Sequence, residues 1–345
     1  MVTKEWLIRE IKDPKYDVLR QDENLKRTML LTIGGSLAYG TNIDTKEHVS
    51  DLDLRGICGH TREEIMGMNC VDKPYEWHDD ERDVVIYTVK QIMKLLCSCN
   101  PNVIEILGTL DEHLIYCDAR GKLIRDNRDL FLSQRAFYTF GGMARNNLRL
   151  MKNILYKTSL TPKDKAQFTV DSLAVVLNNA LDKYNTLVGQ DLRVGVNDRV
   201  DSDSYLDYIT INGELKDMGW FDFKGVMGEL NNVIRGYDRQ TLTKRNAKKD
   251  QVHLYKHIMH TIRTLKMGTE ILSGKGMNVY REEDRDFLLD IRNGVYSTDE
   301  LFEMTDKLEA ELEYAKNNTV LPKEVDMKKV KDITMEITKM TLDME

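Results

Sequence analysis

The stretch TMLLTIGGSLAYGT at residues 28–41, followed by SDLDLRG at residues 50–56, decides how the chain is read. Thr28 to Ile33 is a short apolar run that meets Gly34-Gly35. Such a run predicts a buried strand ending in a tight turn. Asp51 to Ile57 alternates strictly. That predicts a second strand with Asp51 and Asp53 on one face, roughly 7 Å apart along the backbone, and Leu52 and Leu54 on the other. Two neighbouring carboxylates repel unless a cation relieves them. Mg²⁺ suits the pair, since it is a hard ion bound by carboxylates together with phosphate oxygens and water. The glycines let the backbone approach a ligand closely, and their N–H groups with the Ser36 hydroxyl favour an anion. The stretch is neither a P-loop, because no Gly-Lys-Ser/Thr follows, nor a dinucleotide fingerprint, because Gly-x-Gly-x-x-Gly is absent. An anion-holding turn beside a carboxylate pair suits a metal-bound triphosphate.

Outward from this core, Asp83 to Val89 (DVVIYTV) is β-branched and predicts a third strand. KQIMKLL and, after Asn100-Pro101, NVIEILGTL have helical spacing, with Asn100 as N-cap and Pro101 as first helical residue. Residues 4–20 also carry apolar side chains at helical spacing. From about residue 129 the pattern becomes helical over 140–157, 164–187, 222–236, 249–272, 297–316 and 325–343. Tyr208 to Leu215 (YITINGEL) suggests a small hairpin, and residues 190–245 otherwise carry no clear assignment. The fold class is therefore α/β (α+β). A small mixed sheet with flanking helices over residues 1–128 is expected to carry the site. A mostly helical domain over 129–345 is expected to wall the cleft.

Composition narrows the function classes. The 345 residues are enough for two domains. A formal net charge of −7 argues against tight binding along a DNA duplex, which needs many uncompensated cations. No apolar run is long enough to predict a membrane span. The opening MVTKEWLIREIKD lacks the apolar block of a signal peptide. Five cysteines in the first third, odd in number and without a zinc spacing, read as reduced thiols. A cytoplasmic location is expected.

Gly35-Ser36 with Ser50-Asp51-x-Asp53 resembles the signature of the DNA polymerase β-like nucleotidyltransferase superfamily. The fuller strings, Gly-Ser-x-x-Tyr-Gly-Thr and Ser-Asp-x-Asp-x-Arg-Gly, resemble its RNA-repair-pathway (RlaP-like) subfamily. Asn100-Pro101-Asn102 with Glu105, Lys256-His257-x-x-His260-x-x-Arg263, Leu288-Leu289-x-Ile291-Arg292-x-Gly294 and Leu321-Pro322 extend the similarity. The resemblance implies a third metal-binding carboxylate on a neighbouring strand. Asp83 is the candidate, with Asp79, Asp80 and Glu81 as rivals that also read as a solvated acidic loop. It further implies that Lys256, His260 and Arg263 line the cleft and hold phosphates. By periodicity these three lie opposite an apolar stripe at 254, 258, 262, 265, 269 and 272, so a solvated face is the competing reading. Arg55 either holds phosphate or braces the sheet through an ion pair, bracing being favoured. Glu105 either positions a substrate or is a helix-surface acid. Tyr39 reads as packing. Lys244, Arg245, Lys248 and Lys249 form a basic run that is solvated or draws in RNA. His48, His60, His78, His113 and His253 show no ligand spacing.

The implied enzyme is a nucleotidyltransferase using two Mg²⁺ ions, replaceable by Mn²⁺. Asp51, Asp53 and Asp83 are its metal ligands and catalytic residues, and Gly35, Ser36, Lys256, His260 and Arg263 its phosphate-binding residues. It moves a nucleoside monophosphate from an NTP to an acceptor hydroxyl and releases pyrophosphate. The implied acceptor is an RNA or tRNA end. Protein or small-molecule hydroxyls are alternatives, and a non-catalytic nucleotide-binding module is the alternative of another class. Retention of two mutually repelling acids speaks against that last reading.

Overall fold

The computed structural model describes residues 2–43, 51–67, 73–79, 82–159, 161–183, 191–214, 217–240 and 247–344. Seven strands are described: β1 (Thr28–Ile33), β2 (Asp53–Cys58), β3 (Tyr75–His78), β4 (Asp83–Thr88), β5 (Leu114–Cys117), β6 (Asp191–Val196) and β7 (Ile209–Glu214). The helices that matter here are α1 (Lys4–Glu10), α2 (Gly35–Tyr39), α3 (Val89–Cys97), α4 (Pro101–Gly108), α5 (Ala119–Asp126) and α6 (Arg135–Ser159). They continue with α7 (Pro162–Lys183), α8 (Trp220–Gln240), α9 (Ala247–Leu272), α10 (Arg285–Arg292), α11 (Thr298–Asn318) and α12 (Met327–Leu342).

The chain forms two compact units, Met1–Asn147 with Tyr255–Glu345, and Leu148–Leu254. This differs from the expected division at residue 128. The reason is packing: Leu265, Ile271, Leu312 and Ile337 are buried in one core with Leu30, Ile33, Leu54 and Ile86 of the sheet.

In the first unit a mixed sheet runs in the order β3-β4-β2-β1-β5. β1 is an interior strand and is buried from Met29 to Ile33, which is why its sequence is nearly continuous in apolar residues. It pairs antiparallel with β2 and β5, β2 runs parallel to β4, and β3 runs antiparallel to β4. The three strands read from the sequence are all present. β3 (YEWH) and β5 (LIYC) are additional, being four-residue edge strands too short to stand out as runs. α4 begins as its sequence predicts: Asn100 Oδ1 accepts the Asn102 N–H at 3.0 Å and Pro101 opens the helix. The helix expected over 4–20 is broken. α1 stops at Glu10, and Pro14 then starts a separate 3₁₀ turn, because proline cannot supply the N–H of a helix interior.

The second unit has its own small core, with Leu173 and Leu177 of α7 against Val226 and Leu230 of α8. Its two-stranded sheet corrects the hairpin expected within 208–215. Ile209–Glu214 is one strand, and Asp191–Val196, unassigned from sequence, is its antiparallel partner. Among the described residues no helix is long and apolar enough to cross a membrane.

Candidate active site

β1 delivers the chain to the glycine turn, and the Gly34 N–H donates to the Asp53 carbonyl at 2.8 Å. α2 starts at Gly35 with φ +59, a conformation that favours glycine. A Cβ there would stand 1.6 Å from Asp53 Oδ2. The missing side chain is therefore what lets the turn close over the carboxylate. Ser36 follows, half-buried in the first turn of α2. Gly35→Ala should lose about 1–2 kcal/mol to the backbone conformation alone. It must also push the Asp53 carboxylate aside, so any reaction that depends on Asp53 should slow roughly ten- to a hundredfold, as for misplacements of about 1 Å. Melting and initial rates check this; a variant with normal turnover would show that Asp53 does not need its present position.

The far end of α2 is held by the C-terminal part of the same unit. Gly40 ends the helix at φ +73. The Arg281 N–H donates to the Tyr39 carbonyl at 3.0 Å. Arg285 Nε donates to the Gly40 carbonyl at 2.6 Å, and Arg292 Nη1 to the Thr41 carbonyl at 2.7 Å. Guanidinium donors suit these carbonyls at the negative end of the short helix.

Asp53 and Asp83 are register partners on the parallel strands β2 and β4. Their carboxyl groups lie close enough for each to shift the other's titration. Burial pushes Asp53 up to about 6; Arg55 opposes this, while Asp83 and Asp51 reinforce it. Burial also works to raise Asp83, but Arg55, Asp53 and His78 outweigh it and hold Asp83 below the usual carboxylate range. Arg55 binds Asp83 through both terminal nitrogens, each at 3.1 Å. His78, on β3, places Nδ1 3.0 Å from Asp83 Oδ1.

Asp51 is exposed and precedes β2, which begins two residues later than expected, at Asp53. The buried Tyr16 hydroxyl donates to the Leu52 carbonyl at 3.4 Å, bracing the peptide between the two aspartates. Of the rival acids, Asp79 pairs with Arg82 at 2.6 Å. Asp80, Glu81 and Ser50 lie outside the described residues, as do Lys244, Arg245 and His48. His78 and Tyr16 were not legible as site residues, because each is tied to the aspartates only through tertiary pairing.

A cavity of about 420 Å³ opens beside the turn, lined among others by Gly34, Gly35, Tyr39, Arg55, Glu105, His257, His260 and Arg263. The α9 face divides three ways. Lys256 is exposed. His260 lines the cavity, with its imidazole pushed down to about 3 by burial and by the charges of Arg263, Lys256, His257 and Arg292. Arg263 is buried, 2.7 Å from Glu105 Oε1, with its guanidinium 3.4 Å from the centroid of the Tyr39 ring. The Tyr39 hydroxyl in turn donates to Glu105. Arg263 is thus not on a solvated face, and Glu105 is not a helix-surface acid. Tyr39 packs, as expected.

Residues 11–168 match the family model of the RNA repair pathway DNA polymerase beta family, RlaP. The RlaP match takes in the whole five-stranded sheet, the glycine turn, Asp51, Asp53, Asp83 and Glu105. His260 and Arg263 lie beyond it. It agrees with the resemblance carried by the Gly-Ser and Asp-x-Asp motifs, and it supports a nucleotidyltransferase in general. No curated protein and no solved structure matches the chain.

Proposed function

We propose that this chain moves a nucleoside monophosphate from an NTP to an acceptor hydroxyl and releases pyrophosphate, with an RNA end as the acceptor. The observation that carries the reading is the Asp53–Asp83 pair, set in register and closed over by a glycine with no room for a Cβ. Burial holds one carboxyl near 6 beside a second carboxylate, so a cation reaching the pair would be favoured. Its donor chemistry fits a hard divalent cation. Among the described residues no group of three His, Cys, Asp or Glu side chains stands ready around one point. Asp51, exposed ahead of β2, is the residue that would complete the set with Asp53 and Asp83. Mg²⁺ bound there, or Mn²⁺ in its place, supplies Lewis acidity to the acceptor hydroxyl and neutralises charge on the triphosphate.

The chain's own residues do the positioning. The Gly34-Gly35 turn and Ser36 present donors to the outer phosphates. The charges of Lys256 and Arg292 around His260 favour an anion at that wall of the cavity. Lys256 adds charge at the surface. Arg263, Glu105 and Tyr39 hold α2, and hence the turn, in place. The RNA acceptor rests on the family match, whose description names RNA repair.

The deciding experiment transfers label from each α-³²P-NTP in the presence of total RNA and, separately, of a protein extract. Label in RNA supports the acceptor; label in protein replaces it; no incorporation with any NTP overturns the transferase. A binding test runs beside it. Melting should rise with Mg²⁺ plus NTP by the equivalent of about 2.7 kcal/mol at a hundredfold excess over Kd. The rise should shrink in Asp53→Asn, and an equal rise in both proteins would place the metal elsewhere.

A further inference from the structure

Arg55 stands where the carboxylates meet the glycine turn. Its fork grips Asp83 at 3.1 Å through both terminal nitrogens. Nη1 also donates to the carbonyl oxygens of Leu54 at 2.9 Å and Asp83 at 3.2 Å. Its stem passes under the turn, where a Cβ on Gly34 would stand 3.0 Å from Arg55 Cγ. The side chain is 22% exposed and lines the same cavity as Gly34 and Gly35. One guanidinium thus neutralises the acidic pair on one side and borders the anion-holding turn on the other.

A guanidinium fork fits a carboxylate and a phosphate equally well. Which of the two it holds depends on the charge around it. Without a metal, Arg55 is a strong cation on Asp83, helped by His78 at 3.0 Å. A divalent ion on Asp53 and Asp83 would compete for the same carboxylate oxygens and repel the guanidinium. A triphosphate arriving at Gly34-Gly35 would offer the fork a second partner within reach of the same stem.

We propose that Arg55 is a phosphate-binding residue parked on Asp83 as a stand-in cation, which it yields to a divalent ion as the triphosphate binds. This rests on the nucleotidyl-transfer reading above. It makes one residue report two events with opposite signs: loss of Arg55 should help the metal and harm the phosphate.

The test uses the full chain with two probes, Mn²⁺ alone and Mn²⁺ with inorganic tripolyphosphate, which has no base to recognise. Free Mn²⁺ is read by electron paramagnetic resonance and tripolyphosphate binding by calorimetry, for wild type, Arg55→Gln and Arg55→Lys. Arg55→Gln should bind Mn²⁺ alone at least as tightly as wild type. It should bind tripolyphosphate roughly ten- to a hundredfold more weakly, the loss of charge-assisted hydrogen bonds. Arg55→Lys keeps the charge without the fork and should lose at least about fivefold toward tripolyphosphate. It carries the test if the glutamine variant does not melt cooperatively. Unchanged tripolyphosphate affinity in the folded variants overturns the proposal and leaves the transferase standing. Weaker Mn²⁺ binding by Arg55→Gln overturns it too, since Arg55 would then assist the metal rather than stand in for it. A wild-type protein that binds neither probe overturns the transferase reading, and this inference with it.

Discussion

Asp53→Asn is expected to lower nucleotidyl transfer by roughly 10²–10³-fold while making the metal-free protein more stable above about pH 6. On the proposed reading, the rate loss follows from removing a charge that would hold metal and so stabilise charge in the transition state. The stability gain follows from linkage. Burial, with Asp83 and Asp51 adding to it, raises the folded-state Asp53 to about 6 from an ordinary value of 3.8. The neutral form is the one the fold prefers. Its contribution is fully present below about pH 3.8 and is lost as pH rises through about 6. Asparagine keeps a neutral, hydrogen-bonding side chain at every pH. In EDTA the variant should therefore melt above wild type at pH 7.5, by the equivalent of on the order of 1–2 kcal/mol. The two curves should converge toward pH 4. Melting across this range, with label transfer in Mg²⁺, tests both halves. A variant less stable than wild type at pH 7.5 would mean that Asp53 is satisfied in the fold as an anion. Near-normal turnover would remove it from the chemistry.

Arg263→Ala is expected to destabilise the protein by roughly 3–5 kcal/mol, the usual result of leaving one partner of a buried ion pair behind. The Arg263 and Glu105 side chains are only 7% and 14% exposed. Truncation would strand the Glu105 carboxylate beside the Tyr39 hydroxyl and strip the Tyr39 ring of the guanidinium stacked on it. Lys256→Ala, on the exposed part of the same helix, should stay within about 0.5 kcal/mol. Urea unfolding midpoints at constant slope measure the difference. The double variant Arg263→Met with Glu105→Leu should recover most of the stability, because replacing both charges by apolar groups removes the stranded anion. It should not recover full activity, since α2 loses its anchor at Tyr39 while its first residue must stay against Asp53. A loss below about 1 kcal/mol for Arg263→Ala would mean that water reaches the pair.

These two residues mark how far the sequence could be read. The strands and turn around Asp53 were legible because their signals are local. An apolar run ending in two glycines, and the alternation of DLDLRG and DVVIY, give strands, faces and carboxylates without knowledge of any partner. Even the choice of Asp83 needed only strand period and family resemblance, and β2 and β4 set it opposite Asp53. The start of α4 at Asn100-Pro101 was legible for the same reason.

The rest was decided by tertiary structure. Periodicity put Arg263 opposite the apolar stripe of its helix and left open whether water or protein met it. Glu105, 158 residues earlier, settles that it is protein. His78 lies on a short edge strand of alternating, half-exposed residues, and only its pairing with β4 brings it to Asp83. Arg285 and Arg292 carry no local signal of their partners, yet they hold the Gly40 and Thr41 carbonyls at the end of α2, about 250 residues away. The physical reason is common to all of them. A repeat of 2 or 3.6 residues encodes which face of an element is apolar. Nothing in that repeat encodes which distant charge a polar side chain will meet once the faces close, and in this chain those meetings aim the turn at the aspartates.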